Sequence, residues 1–236
     1  MKKEYLHIAR ILGLLFLLIA CKENDDYRYP SVSLDFVTVK AGEDGRLQIL
    51  IPDKGSPMPV LKDRTNTKIA PDAFKRMLSN YEVTVADGTP SVTIYSLQEL
   101  LTPEPKLPED PAYADGIKTD PVTMVSIWMG RDYLNMILNL KVKGGKKHVF
   151  GMVEESIVEK GNEKVVTLSL FHDAAGDEPY YDRRAYISIP LQKYKSNRPE
   201  QVVRIKFKYH TYDKDGNIVE SDRYCQPGFE YISGSN

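Results

Sequence analysis

The residues best suited to chemistry lie near position 172, where His172 and Asp173 adjoin and Asp177 follows in the same polar segment. An imidazole beside carboxylates is the set that acid–base catalysis or a metal ion uses. His148 and His210 fall on separate predicted strands, and no HExxH-like spacing joins them to His172. The simpler alternative is that His172 and Asp173 end a strand and cap a long loop.

A second polar run, Asp213 to Asn217, has the oxygen-rich composition of a calcium loop. An EF-hand loop needs glycine at its sixth position and glutamate at its twelfth. Here the glycine, Gly216, is fourth and Tyr224 is twelfth. A hairpin turn explains the run better than a metal site, because glycine supplies positive φ and Asp or Asn bonds back to the backbone.

Motifs of the common enzyme classes are missing from the sequence. There is no GxSxG elbow, no P-loop and no Rossmann glycine pattern. Adjacent carboxylates such as Glu154 and Glu155 are ordinary surface features, and spacing alone does not identify a glycosidase pair. We therefore predict no catalytic residues, no metal and no cofactor, and expect a protein that is not an enzyme.

Aromatic residues offer the other candidates for contact. Trp128 lies in the middle of an apolar strand-like run, which favours a core position over a sugar platform. Tyr180 and Tyr181 fall in a polar loop, and loops on a rigid scaffold are where recognition tends to reside. The candidate ligand or partner contacts are His172, Asp173, Asp177, Tyr180 and Tyr181.

The N-terminal segment of the chain indicates where the protein is delivered in the cell. Lys2 and Lys3 precede an apolar run that extends from Ile8 to Ile19 and is interrupted by Arg10. That run is shorter than the ~20 residues of a membrane-spanning helix and is typical of an export signal. The sequence Leu18-Ile19-Ala20-Cys21 resembles a bacterial lipoprotein signal, so Cys21 is the predicted lipidation site, with palmitate among its acyl chains. The alternative is a simple cleaved signal with a chance cysteine.

Residues 1–20 are then the lipoprotein signal peptide and residues 21–30 a lipidated tether. The acidic run Lys22-Glu23-Asn24-Asp25-Asp26 resembles a tag that sends lipoproteins to the outer face of the outer membrane. A solvated linker would have the same composition. We expect an outer-membrane protein, lipid-anchored through Cys21, that faces the cell surface.

Composition and net charge limit the classes of partner that the protein is expected to bind. The 236 residues carry a formal net charge of −1, so no basic excess exists to attract nucleic acid. The chain has two cysteines, and lipidation of Cys21 would leave Cys225 without an intrachain disulfide partner. We expect a small buried thiol at Cys225 and a monomer held together by apolar burial.

Hydrophobic patterning predicts an all-β chain. In residues 31–102, about five strand-like runs surround one short helix, which the apolar spacing of Phe74, Met77 and Leu78 places after Pro71. That element order is typical of an OB-type barrel. Residues 103–118 contain several prolines and predict an extended, semi-rigid linker. Residues 119–232 contain seven alternating runs, which predict an antiparallel immunoglobulin-like β-sandwich.

Two regions of the chain resemble the NigD-like lipoprotein family, each through short stretches. Arg76-Met77-Leu78-Ser79-Asn80-Tyr81 is similar to the family's OB domain, together with Val92-Thr93-Ile94-Tyr95-Ser96-Leu97. The run from Val125 through Trp128-Met129-Gly130-Arg131-Asp132-Tyr133-Leu134-Asn135 is similar to its C-terminal β-sandwich, as are Leu170-Phe171-His172-Asp173 and Gly176-Asp177. The resemblance implies a role in bacteriocin immunity. The family has no established catalytic or binding residues to carry over.

The favoured hypothesis is a non-enzymatic, surface-tethered module that binds a protein, by blocking or sequestering a toxin. The second hypothesis is a glycan-binding accessory lipoprotein, and the third is a hydrolase. Genes for a toxin or for glycan uptake beside this gene would separate the first two.

Overall fold

The computed structural model describes residues 32–86 and 88–231, so Cys21, the predicted signal and the predicted tether lie outside the described part. Strands are the main regular elements of those residues, with short 3₁₀ turns at Pro111–Tyr113 and Gln192–Tyr194. None of their helices is long and apolar enough to cross a membrane. The strands are β1 Ser33–Ala41, β2 Leu47–Pro52, β3 Met58–Asp63, β4 Phe74–Ala86, β5 Thr89–Glu99, β6 Pro105–Lys106, β7 Thr123–Gly130, β8 Tyr133–Val142, β9 Val149–Lys160, β10 Glu163–Asp173, β11 Tyr181–Pro190, β12 Val202–Tyr212 and β13 Ile218–Tyr231.

Strands β1 to β5 close into a barrel in the order β1-β2-β3-β5-β4. All its neighbouring pairs are antiparallel except β3 and β5, which are parallel. Alternation along the strands fills the barrel with apolar side chains, among them the fully buried Val37, Leu50 and Ile94. The predicted OB-type barrel is confirmed.

The helix predicted after Pro71 is wrong, because those residues form strand β4. The apolar spacing of these residues predicted a helix wrongly because both faces of strand β4 are covered by other parts of the protein. Met77 points into the barrel core, whereas the next residue, Leu78, packs in a separate cluster against the sandwich. Consecutive apolar residues buried on opposite faces imitate the i, i+1 part of a helical stripe.

The second half of the chain packs two sheets face to face, one ordered β13-β12-β10-β9-β6 and the other β11-β8-β7. The predicted alternation along β8 is confirmed, since Leu134, Leu138 and Val142 are all buried in one core. The expectation of purely antiparallel pairing is wrong for β10 and β12, which run parallel. Between β10 and β12 the chain passes through β11, which lies in the opposite sheet. The chain therefore re-enters the first sheet in the same direction as β10.

The proline-rich segment predicted as a spacer is packed against the sandwich. Leu101 forms a parallel bridge with Ile187 on β11, and Pro105 pairs in parallel with Met152 on β9. Tyr113 is buried, and its hydroxyl donates to the Met152 carbonyl at 3.0 Å. The segment therefore connects the edges of the two sheets.

Cys225 lies half-buried on β13, and its thiol contacts the Phe207 carbonyl oxygen at 3.6 Å. Burial raises the pKa of this thiol. It is the free cysteine of the described part of the chain, and it is half-buried where the sequence predicted a buried thiol.

Candidate functional site

Polar side chains are concentrated in two places, and the first is the junction between barrel and sandwich. Arg76 on β4 is only 4% exposed and forms an ion pair of 2.6 Å with Asp53. The same guanidinium donates to Ser188 Oγ at 3.0 Å and to Asn135 Oδ1 at 3.0 Å. Arg76 and Asp53 belong to the barrel, whereas Ser188 and Asn135 belong to the sandwich. We call these four residues the junction cluster.

The electrostatics of the junction cluster are those of a buried ion pair. Burial lowers the pKa of the Arg76 guanidinium, while the charge and hydrogen bond of Asp53 act in the opposite direction. The Tyr133 ring lies 4.4 Å from the guanidinium carbon, in cation–π contact. Glycine is needed at position 130 for Asp53 to lie where it pairs with Arg76, because a Cβ on residue 130 would overlap Asp53 Oδ2.

Sequence reasoning missed the junction cluster although it pointed to the residues around it. Arg76 was one basic residue of a predicted helix, and Asp53 one residue of a loop. The available signal was the family resemblance: both of its most characteristic stretches, Arg76–Tyr81 and Trp128–Asn135, meet here. Trp128 itself packs on Phe36 of the barrel, with ring centroids 5.0 Å apart, so the predicted core role is supported.

The second place contains the histidines and carboxylates singled out in the sequence. His172 is 2% exposed at the end of β10, and Phe150 stacks on its ring at 4.5 Å. Its Nδ1 lies 2.9 Å from the Asp120 carbonyl oxygen, and its Nε2 lies 2.9 Å from His148 Nδ1. His148 Nε2 then approaches Asp177 Oδ2 at 3.3 Å. We call His148, His172 and Asp177 the histidine chain.

The histidine chain has a definite proton requirement. A carbonyl and a carboxylate only accept, so the three contacts are all hydrogen bonds only when the two rings share three protons. Two neutral rings hold two. Burial lowers the pKa of His172, in spite of its bond to the Asp120 carbonyl. His172 is therefore suited to be a neutral ring, whose Nδ1–H donates to the Asp120 carbonyl and whose Nε2 accepts from His148.

Asp177 also connects two loops. Its carboxylate accepts from the backbone N–H groups of Lys143 and Gly144, in the turn between β8 and β9. Burial acts to raise the pKa of Asp177, but the hydrogen bonds from Gly144, His148 and Lys143 outweigh it and hold that pKa below its ordinary value. The histidine chain thus fastens the β10–β11 loop to the β8–β9 turn.

Not all five candidate contact residues are available to a partner. His172 is buried, Asp177 is committed to the bonds above, and Asp173 accepts from the Ala175 N–H within a tight turn. Tyr180 and Tyr181 are 79% and 48% exposed, and their rings meet edge to face. The contact set remains a prediction, and exposure favours the tyrosine pair within it.

Metal binding receives no support in the described residues, where no group of three or more His, Cys, Asp or Glu side chains is arranged to hold an ion. In the run considered for calcium, Asp213 Oδ1 accepts from the backbone N–H groups of Asp215 and Asn217 at 2.9 and 2.8 Å. Those bonds are what the hairpin-turn interpretation requires.

A groove opens beside the histidine chain, between the edges of β9 and β11, with a cavity of about 420 Å³. Its floor is apolar and includes Leu140, Val142 and Phe150. Its walls carry four exposed cations, none of which forms an ion pair within residues 32–86 and 88–231. They are Lys146, Lys147, Arg183 and Arg184. We call this feature the basic groove.

Comparison with known proteins finds significant matches to one protein family. The model of the NigD-like C-terminal β-sandwich domain matches residues 104–222. A crystal structure of a NigD-like immunity protein from Bacteroides caccae is 58% identical, with a TM-score of 0.79, over 87% of this chain and 99% of that one. Among curated proteins, none is significantly similar.

More distant structures share the fold alone. A protein from Parabacteroides distasonis with a provisional toxin-related description is 19% identical, with a TM-score of 0.63, over 86% of this chain and 95% of its own. A protein of unknown function from Bacteroides vulgatus is 16% identical, with a TM-score of 0.62, over 87% and 93% of the two chains. The arrangement of barrel and sandwich therefore persists when most of the sequence changes.

Proposed function

The chain belongs to the NigD-like family, and we propose that it is a non-enzymatic, membrane-anchored immunity protein that binds and neutralises a protein toxin. The observation that carries this proposal is the likeness to the Bacteroides caccae immunity protein, which extends over nearly all of both chains. Immunity of this kind needs a protein-binding surface and no chemistry at the toxin. The exposed tyrosine pair and the unpaired cations of the basic groove offer such a surface.

Anchoring through Cys21 belongs to the same proposal. A toxin that attacks the envelope is best intercepted where the immunity protein is held at the membrane. Lipidation at Cys21 and export to the outer face of the outer membrane would place it there, and two or more acyl chains would hold it stably. Replacing Cys21 with alanine should abolish lipid labelling, and protease treatment of intact cells should remove the protein from the wild-type surface. Full protection from protease would contradict the surface location.

The function is tested with any toxin whose gene lies beside the gene for this chain. We expect the purified chain to bind that toxin, and a sensitive strain that expresses the chain to survive a dose that kills the empty-vector strain. Cys21→Ala separates binding from anchoring: it should bind the toxin in solution and protect poorly. Neither binding nor protection with the neighbouring toxin would contradict the immunity function.

Glycan binding is a second candidate, favoured by the exposed Tyr180–Tyr181 pair alone. Aromatic rings that stand in solvent can stack on sugars. A glycan array would show binding that disappears when both tyrosines are replaced by alanine. Binding that survives the replacement, or none at all, would remove this candidate.

A further inference from the structure

We infer that the basic groove binds an acidic, extended segment of a protein partner, which adds as a strand to the free edge of β11. The inference rests on the proposed protein-binding function and names the site, the chemistry of the partner segment and the mode of binding. Four observations carry it: a free strand edge, a segment of the chain itself that already binds the adjoining edges, unpaired cations, and a groove wall that is held in place.

The free edge belongs to β11, which lies at the end of its sheet and pairs with β8 along its other edge. Ser188 points its N–H away from β8, toward the Leu101 carbonyl at 2.9 Å. Backbone groups alternate along an antiparallel strand, so those of Arg184 and Tyr186 point the same way. In the described part of the chain no backbone partner meets the N–H groups of Arg184 and Tyr186, and an exposed edge of this kind is a template for an added strand.

The chain supplies its own precedent. Residues 101–106 lie across the gap between the sheets just beyond the groove, where Leu101 bridges to β11 and Pro105 pairs with β9. Both pairings are parallel, and Pro105 is buried. The same gap therefore already accepts extended polypeptide on both edges. The basic groove is the part of the gap that this segment leaves open, beside Ala185 on β11 and Phe150 on β9.

The positive charge of the groove favours an acidic partner segment. The acidic side chains nearest to it are already used: Asp182 pairs with Lys141 at 3.0 Å, Glu178 with Lys143 at 2.6 Å, and Asp177 belongs to the histidine chain. Its four cations are left without a counterion in the described residues. In the register of β8 and β11, Arg184 lies on the face opposite to Leu140, whereas Arg183 lies on the same face as Leu140. A partner segment that alternates acidic and apolar residues would meet Arg184 with its acidic face and the floor of Leu140 and Val142 with its apolar face.

The groove wall is held in position before binding. The histidine chain and its bonds to Lys143 and Gly144 tie the loops on either side of the groove together. A site fixed in advance loses less conformational entropy on binding than a mobile one. The buried histidines thus act by positioning the groove.

Binding is tested by fluorescence anisotropy on the full chain in detergent, with a labelled peptide of about ten alternating glutamates and valines. We expect this peptide to bind, a lysine–valine peptide not to bind, and affinity to fall as salt is raised from about 0.05 to about 0.5 M. Arg183→Glu with Arg184→Glu should weaken binding at least tenfold, or about 1.4 kcal/mol. The matched control, Lys62→Glu with Lys214→Glu, makes the same charge change at exposed lysines outside the groove and should change affinity less than about twofold.

Strand addition is tested apart from charge. A peptide methylated on alternate backbone nitrogens keeps its carboxylates but cannot form the ladder, and we expect it to bind at least tenfold more weakly. Amide exchange at Arg184 and Tyr186 should slow when the unmodified peptide binds. Equal binding of the methylated peptide, or equal binding by the Arg183→Glu, Arg184→Glu variant with an unchanged unfolding curve, would overturn the inference.

Two other occupants have their own signatures. If the peptide binds only after Glu23, Asp25 and Asp26 are replaced by amides or serine, the chain's own acidic run fills the groove and the partner assignment is wrong. If the chain forms dimers that the Arg183→Glu, Arg184→Glu variant cannot form, the occupant is a second copy. Unchanged toxin binding by that variant would overturn the groove assignment while the proposed function stands, and a wild-type chain that binds no toxin would contradict the function itself.

Discussion

The junction cluster and the basic groove use arginine in opposite ways. Arg76 is buried, faces a carboxylate at 2.6 Å and has polar partners from both halves of the molecule. Arg183 and Arg184 are exposed, and no carboxylate within 4.0 Å pairs with them in the described residues. An arginine whose bonds are all made inside the protein stabilises the fold. One without a counterion retains its charge for a partner.

The largest effect is expected at the junction. Replacing Arg76 with methionine leaves the Asp53 carboxylate buried without its cation, and removal of one member of a buried pair costs about 3–5 kcal/mol. Urea denaturation should show that loss of unfolding free energy. Arg46→Met is the matched control, because Arg46 pairs with Asp44 at the exposed surface, and it should change stability by less than about 0.5 kcal/mol. Equal stability of the two variants would break the comparison.

A smaller effect is expected from crowding the junction without removing a charge. Gly130→Ala adds a methyl group that overlaps Asp53 Oδ2 and crowds the Asn135 amide, so the ion pair must shift. Overpacking of this kind costs about 1–3 kcal/mol. In Gly42→Ala the new Cβ meets only the end of the exposed Gln48 side chain, which can move away. Thermal unfolding should separate the two variants, and the comparison fails if Gly42→Ala is the less stable.

The contribution of the histidine chain to stability should be lost at acid pH. The pKa of Asp177 is lowered in the folded state, so its contribution to stability is present above the unfolded value of 3.8 and is lost as the pH falls through the lower folded value. We expect Asp177→Asn to be less stable than wild type at neutral pH and to lose less stability below about pH 3.8. Asp115→Asn is the control, because Asp115 is exposed and its carboxylate accepts no hydrogen bond in the described part. An acid slope equal to that of wild type in Asp177→Asn would contradict the role of this carboxylate.

The smallest effect on stability is expected in the groove. Arg183→Ala with Arg184→Ala removes two exposed charges that have no counterion in the described residues, and should change the unfolding free energy by less than about 0.5 kcal/mol. A loss as large as that of Arg76→Met would mean that the groove arginines hold the fold together.

The sequence predicted strands best where one face is solvated. Along β12, alternation matches the buried core face and the more exposed face, and along β8 it does so except at Asn135, which is buried at the junction. It failed at β4, where Met77 and Leu78 are buried on opposite sides, because the barrel and sandwich cover both faces of that strand. Periodicity reports a single buried face, so a strand at a junction between two packed units lies outside its reach.

The sequence singled out His172 and Asp177 but not the groove cations Lys146, Lys147, Arg183 and Arg184. His172 and Asp177 do meet, through His148, a residue 24 positions before His172 that no local pattern connects to it. The groove itself could not be predicted, since its cations come from the β8–β9 turn and from β11. Only pairing of the strands brings Lys146 and Lys147 opposite Arg183 and Arg184.

The most direct test measures toxin affinity and unfolding free energy on the same variants. The Arg183→Glu, Arg184→Glu variant should keep the stability of the wild-type chain and lose toxin binding at least tenfold. Arg76→Met, measured where it is still folded, should lose stability and keep its affinity within about twofold. A groove variant that binds the toxin as tightly as the wild-type chain would contradict the central claim that the unpaired cations between the sheet edges are the part of this molecule that recognises its partner.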